Sequence, residues 1–122
     1  MFTISLFDSI EEKIIVETGE SYLKKNYIKD FDIQKVSDDS LLIKGNLLID
    51  DKSFSPEILI HLPDGSFSTS FCTCEDFGEF CSHRTAIIFK FIEDSILFLN
   101  DDNTLNNDKF VDYKRSLSKL RF

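Results

Sequence analysis

The chain has 122 residues, enough for one domain with a modest hydrophobic core. Apolar residues make up 42%, with thirteen Phe and no Trp, which describes a globular chain rather than a disordered one. The net charge is −8, and its placement excludes more than its size does. Residues 30–108 carry sixteen acids against five Lys or Arg, whereas residues 109–122 carry Lys109, Lys114, Arg115, Lys119 and Arg121 against Asp112 alone. Nucleic-acid affinity is drawn from cations that neutralise phosphates, so an acidic middle argues against unaided DNA binding and favours a protein partner with a basic face.

No apolar run approaches the length a membrane-spanning helix needs. The start, MFTISLFDSIEE, has neither a basic leader nor a small-residue cleavage site, so it does not read as a signal peptide, and a cytoplasmic protein is expected.

A first helix is expected from about Asp8 to Tyr27. Ile10, Ile14, Ile15 and Leu23 follow a helical spacing, Asp8 or Ser9 suits the cap, and Gly19 weakens the middle. Three short β-rich runs follow, Asp32–Val36, Leu41–Ile49 and Ile58–Leu62, separated by the polar clusters 37–40 and 50–53. Gly45-Asn46 marks a bulge or tight turn within the second run. Pro63-Asp64-Gly65 predicts a turn joining Ile58–Leu62 to an antiparallel partner, Phe67–Cys72. A long apolar helix is expected over about 82–99, with Ile88, Phe91, Ile92 and Ile96 as its stripe and Ile87, Phe98 and Leu99 widening it. A loop over 100–108 and a short basic helix, roughly Lys109 to Leu120, complete the chain.

The chemistry is concentrated in one stretch. All three cysteines fall within ten residues, and His83 follows two residues after the last of them. Without an export signal, such a cluster points to metal rather than disulfide. Structural zinc takes four thiolate or imidazole ligands tetrahedrally. Cys72 and Cys74, two apart on an extended strand, would present both sulfurs to one side. Gly78 lets the intervening loop double back, and Cys81 and His83 fall at the start of the next helix. Three thiolates and one imidazole around a divalent cation leave a charge of about −1, which a helix N-terminus favours. Four protein ligands leave no open position for water, so no zinc-assisted hydrolysis and no enzyme are expected. A Cys81–His83 nucleophile pair fails for a related reason, since zinc would occupy the thiolate. His61 reads as an ordinary strand residue, and Glu75, Asp76 and Glu79 as a solvated loop.

The string Cys72-Thr73-Cys74-Glu75-Asp76-Phe77-Gly78-Glu79-Phe80-Cys81-Ser82-His83 resembles a SWIM-type zinc finger, the family defined by CxC-xn-CxH followed by a helix. More weakly, Tyr22-Leu23-Lys24-Lys25 and Ile43-Lys44-Gly45-Asn46 resemble the region that precedes SWIM fingers in bacterial Swi/Snf-class remodeller-type helicases. The resemblance implies Cys72, Cys74, Cys81 and His83 as ligands of one structural Zn2+. It further implies protein–protein or DNA contacts beside a nucleic-acid-processing motor. No GxxxxGK[ST] phosphate loop occurs in this chain, so any motor lies elsewhere.

The combined expectation is a single α+β domain over residues 1–122: an N-terminal helix, a small antiparallel sheet, and a ββα zinc finger at about 57–93 with a long apolar helix after the ligands. A loop and a basic segment occupy 100–122. Its function is that of a zinc-binding interaction module for a protein partner. The alternatives are a direct DNA- or RNA-binding finger, and a free-standing acidic inhibitor that mimics nucleic acid.

Overall fold

The computed structural model describes residues 13–62, 64–74 and 81–120. Its elements in chain order are α1 (Lys13–Lys24), β1 (Ile28–Ser37), β2 (Ser40–Ile49), β3 (Lys52–Phe54), β4 (Glu57–His61), β5 (Phe67–Phe71), α2 (Ser82–Ser95) and α3 (Asn107–Leu120). Among the described residues the fold is α+β: three helices and an antiparallel sheet ordered β1-β2-β4-β5, with β3 pairing on β2.

Helix α1 stops at Lys24 rather than Tyr27, because Asn26 takes a left-handed conformation with φ 59°. The Asn26 amide donates to the Leu23 carbonyl (3.1 Å) and the Tyr27 amide to the Tyr22 carbonyl (3.1 Å). This is a Schellman stop, and its usual apolar contact is supplied by the Tyr22 and Tyr27 rings, 5.7 Å apart. The expected start at Asp8 and the stripe residue Ile10 lie outside the described residues.

Strand β2 is the spine of the sheet. Its alternation buries Leu41, Ile43 and Leu47 on one face and leaves Leu42, Lys44 and Asn46 half-buried on the other. On the second face Lys44 lies directly across from Glu57, and the two form an ion pair at 3.4 Å. Gly45-Asn46 is not a turn, and β2 runs straight through it. The irregularity sits opposite, on β1 between Lys29 and Asp32, where Asp30 has φ 50°. At the same point β2 exchanges its second partner, β4 up to Lys44 and β3 from Leu47.

The polar cluster 50–53 is more than a separator. Asp50 and Asp51 have φ 51° and 66°, both left-handed, and they form the two-residue turn that folds β3 back onto β2. The β4–β5 hairpin forms as expected. Gly65 has φ 75°, and the Asp64 carboxylate accepts hydrogen bonds from the Ser66 amide and hydroxyl, both 3.0 Å.

Helix α2 lies over the buried face of the sheet, with Ala86, Ile87, Ile88 and Phe91 sealed in the core. Two glycines set how closely it packs. A Cβ at Gly45 would stand 2.9 Å from Ile87, and one at Gly19 would stand 2.8 Å from Thr85, where α1 crosses α2. The helix ends at Ser95, short of the expected 99. The helical phase is therefore not carried forward, and Ile96, expected in the stripe, is 80% exposed. Phe98 and Leu99 still reach the core, where Phe98 packs on Phe91, Phe110 and Tyr113 with ring centres 4.7–5.8 Å apart.

Helix α3 begins at Asn107, two residues before the expected Lys109. Asn106 caps it, its side-chain oxygen accepting from the Lys109 amide (3.1 Å). The C-terminal segment is thus part of the fold. Phe110 and Tyr113 are buried, and Lys114 is tied to the Asp32 carboxylate and the Ile33 carbonyl of β1.

Candidate metal centre

The structure brings Cys72, Cys74, Cys81 and His83 together, with one potential ligand atom from each lying within 4.8 Å of all the others. Among the described residues this is the one such cluster of His, Cys, Asp and Glu side chains.

The way the four converge differs from strand alternation. Strand β5 ends at Phe71, and the chain bends at Thr73 and Cys74, so the CxC pair lies in a bent segment just beyond the strand. That bend is anchored from β3's side, where the Ser55 amide donates to the Thr73 hydroxyl at 2.9 Å. Ser55 is itself tied to β2 through its hydroxyl, which donates to Asn46 Oδ1 at 2.7 Å. The expected reversal at Gly78 and the acids Glu75, Asp76 and Glu79 lie outside the described residues.

Cys81 caps α2. Its backbone is extended (φ −137°, ψ 170°), and its sulfur accepts the Arg84 amide at 3.4 Å. The Cys81 carbonyl accepts the Thr85 amide and hydroxyl, both 3.0 Å. A sulfur in this position faces the positive end of the helix, which favours its thiolate. Cys81 is accordingly held well below the ordinary thiol range, first by the hydrogen bond from Cys72 and then by bonds from His83 and Arg84. Cys72 is pushed up, chiefly by that same hydrogen bond to Cys81 and by burial.

His83 follows in the first turn of α2, and its ring is sandwiched. Phe54 of β3 stacks on it at 4.0 Å with 16° between the planes, and Tyr22 of α1 lies at 5.9 Å and 14°. The sandwich fixes the plane of the imidazole. Its Nδ1 is buried and without a hydrogen-bond partner among the described residues. A buried polar atom left unpaired costs about 1–3 kcal/mol, and coordination to a cation would relieve that cost. Three sulfurs and an imidazole nitrogen at this mutual distance fit the donor set of a soft divalent ion such as zinc, with Zn–S about 2.3 Å and Zn–N about 2.0 Å.

Three contributors lie outside the sequence reading. Phe54 belongs to a strand that was not expected, though the two-residue separation between Ile49 and Lys52 signals a hairpin. Tyr22 is placed by the helix stop at Asn26, a left-handed position that Asn tolerates better than most residues. Arg84 is 3% exposed, and its Nε donates to Cys81 Sγ at 3.3 Å. His61, as expected, is an ordinary strand residue, hydrogen-bonded through Nδ1 to the Ser40 hydroxyl at 2.9 Å.

No helix among the described residues is long and apolar enough to cross a membrane. No protein-family model matches the chain, and neither a curated protein nor a solved structure matches it.

Proposed function

We propose that this chain is a zinc-binding interaction module of SWIM type, in which Cys72, Cys74, Cys81 and His83 hold one structural Zn2+. The observation that carries the reading is the convergence of the four side chains, together with the buried, unpartnered His83 Nδ1. The ion supplies a crosslink among segments that the backbone leaves adjacent: the exit of β5, the start of α2 and, through the His83 sandwich, β3 and α1. The β4–β5 hairpin followed by α2 supports the ββα finger reading. With all four positions filled by protein, the metal has no vacancy for substrate, so the module binds rather than catalyses.

The partner we favour is a protein with a basic face, within or alongside a nucleic-acid-processing helicase-like assembly. The net charge of −8 supports a basic partner, and the SWIM-like string supports the setting.

Metal analysis of the protein, purified without added metal, tests the site: one zinc per chain is expected, and Cys74→Ser should retain much less. Zinc that binds only the folded state stabilises it by about 4 kcal/mol at a free concentration a thousand times its dissociation constant. Chelation and Cys74→Ser should therefore lower the melting temperature together. A parent protein without metal, or with a melting temperature indifferent to chelation and to Cys74→Ser, overturns the reading.

A further inference from the structure

We infer that Arg84 is the built-in counter-charge of the metal centre, acting on it through Cys81. The inference rests on the zinc reading above and deepens it. A guanidinium cannot lose its proton, so an N–H that it donates brings a fixed positive charge to the acceptor. Arg84 is 3% exposed, and the group that its Nε reaches, at 3.3 Å, is the Cys81 sulfur. The same sulfur accepts the Arg84 backbone amide at 3.4 Å, so one residue supplies two N–H donors to one ligand atom.

The charge balance gives this geometry its meaning. Three thiolates, one neutral imidazole and a divalent ion sum to about −1. Arg84 sets a positive charge against one of the sulfurs that share this excess. Lys90, further along α2, is paired with Asp94 at 3.2 Å. N–H donors aimed at a ligand sulfur also draw electron density from it, which sets the metal–sulfur charge-transfer energy and the affinity. Arg84 is thus a positioning and tuning residue rather than a ligand. The site is specified by five residues, not four.

The test compares the parent with Arg84→Met, which keeps the side chain's bulk without charge or donors, and with Arg84→Lys, which keeps the charge. Zinc affinity is read by competition with a chromogenic chelator, and the thiolate-to-metal charge-transfer band is read on Co2+-substituted protein. Arg84→Met should bind zinc 10–100-fold more weakly, the usual scale for a lost outer-sphere partner. Its Co2+ band should shift to lower energy while the tetrahedral d–d pattern persists. Arg84→Lys should recover part of the affinity. Circular dichroism of both zinc-loaded variants keeps loss of fold apart from loss of tuning. If folded Arg84→Met matches the parent in affinity and in the Co2+ band, or if Arg84→Lys loses as much as Arg84→Met, the counter-charge role is overturned while the zinc site stands. A parent that takes up neither zinc nor Co2+ overturns the zinc reading itself.

Discussion

Gly19→Ala sets two known effects against each other, and the structure decides between them. In an isolated helix the substitution would help, by about 1 kcal/mol, because glycine in a helix interior is disfavoured. Here Gly19 is buried where α1 crosses α2, and an added Cβ would lie 2.8 Å from both Thr85 Cβ and Cγ2 and 3.0 Å from the Ala86 amide nitrogen. These are not the free ends of flexible side chains. Thr85 is fully buried and held by its hydroxyl to the Cys81 carbonyl, and Ala86 N is backbone. Overpacking costs about 1–3 kcal/mol, and three contacts at or below 3.0 Å to groups that cannot swing away place Gly19 in the upper part of that range, about 2–3 kcal/mol, so the propensity gain is more than offset. The expected net loss is about 1–2 kcal/mol, or about 3–8 °C in melting temperature for a domain of this size. Urea titration of the zinc-loaded protein measures it. Adding Thr85→Ser removes Cγ2 while keeping the hydroxyl, and should return part of the loss as a coupling energy. Gly19→Ala as stable as the parent, or more so, would show that α1 does not sit this close to α2. The Tyr22 contact to His83 would then lose its support.

Two further outcomes follow from the same packing. Tyr113 donates a hydrogen bond at 2.6 Å to the buried Asp94, and burial, first of all, pushes its phenol well above the ordinary tyrosine range. Below pH 10 both folded and unfolded chains keep that proton and its contribution is constant. Above pH 10 only the unfolded chain releases it, so stability falls as pH rises. Tyr113→Phe should cost about 1.5–3 kcal/mol at pH 7, and the gap to the parent should narrow above pH 10 in urea midpoints. A gap that stays constant to pH 11 refutes the assignment. As for nucleic acid, α3 contributes Phe110 and Tyr113 to the core, so deleting 109–122 would test folding rather than binding. Lys109→Glu with Arg115→Glu changes exposed charge alone. Fluorescence anisotropy on duplex DNA at low salt should show weak or no binding before and after the change. Tight, salt-sensitive binding that this pair abolishes would reinstate the direct nucleic-acid reading.

The cluster of candidate ligands was readable because its spacing is a property of the chain: CxC and CxH put four potential donors into two short segments. The hairpin turn was equally local, since Gly65 needs a left-handed φ that the sequence advertises. What escaped depends on contacts distant in sequence. Phe54 and Tyr22 reach His83 from 29 and 61 residues away, and nothing near them in the chain signals an imidazole. Arg84 escaped for a different reason: arginine is a surface residue by type, and its burial beside Cys81 shows only in the fold. The overlong helix has its own cause. Apolar periodicity continues through Ile96, but Ser95 turns its hydroxyl onto the Ile92 carbonyl (2.7 Å), and Phe98 and Leu99 take their amide bonds from Ser95.

The metal's role can be placed by what the core does without it. Among the described residues the main hydrophobic cluster joins sixteen buried residues of β1, β2, β4, α2, α3 and the connections between them, and none is a candidate ligand. The domain therefore has a reason to fold that is independent of zinc. What zinc would add is local, at a corner where a bent strand exit, a helix start and a stacked imidazole meet. Chelation should on this view lower the stability by the linkage amount yet leave the sheet standing. The surface most altered would be the one around Thr73 and β3, where Ser55 joins the CxC bend to the sheet. On the proposed reading the metal secures a surface rather than a core, and metal loading should then be a condition of partner binding more than of folding.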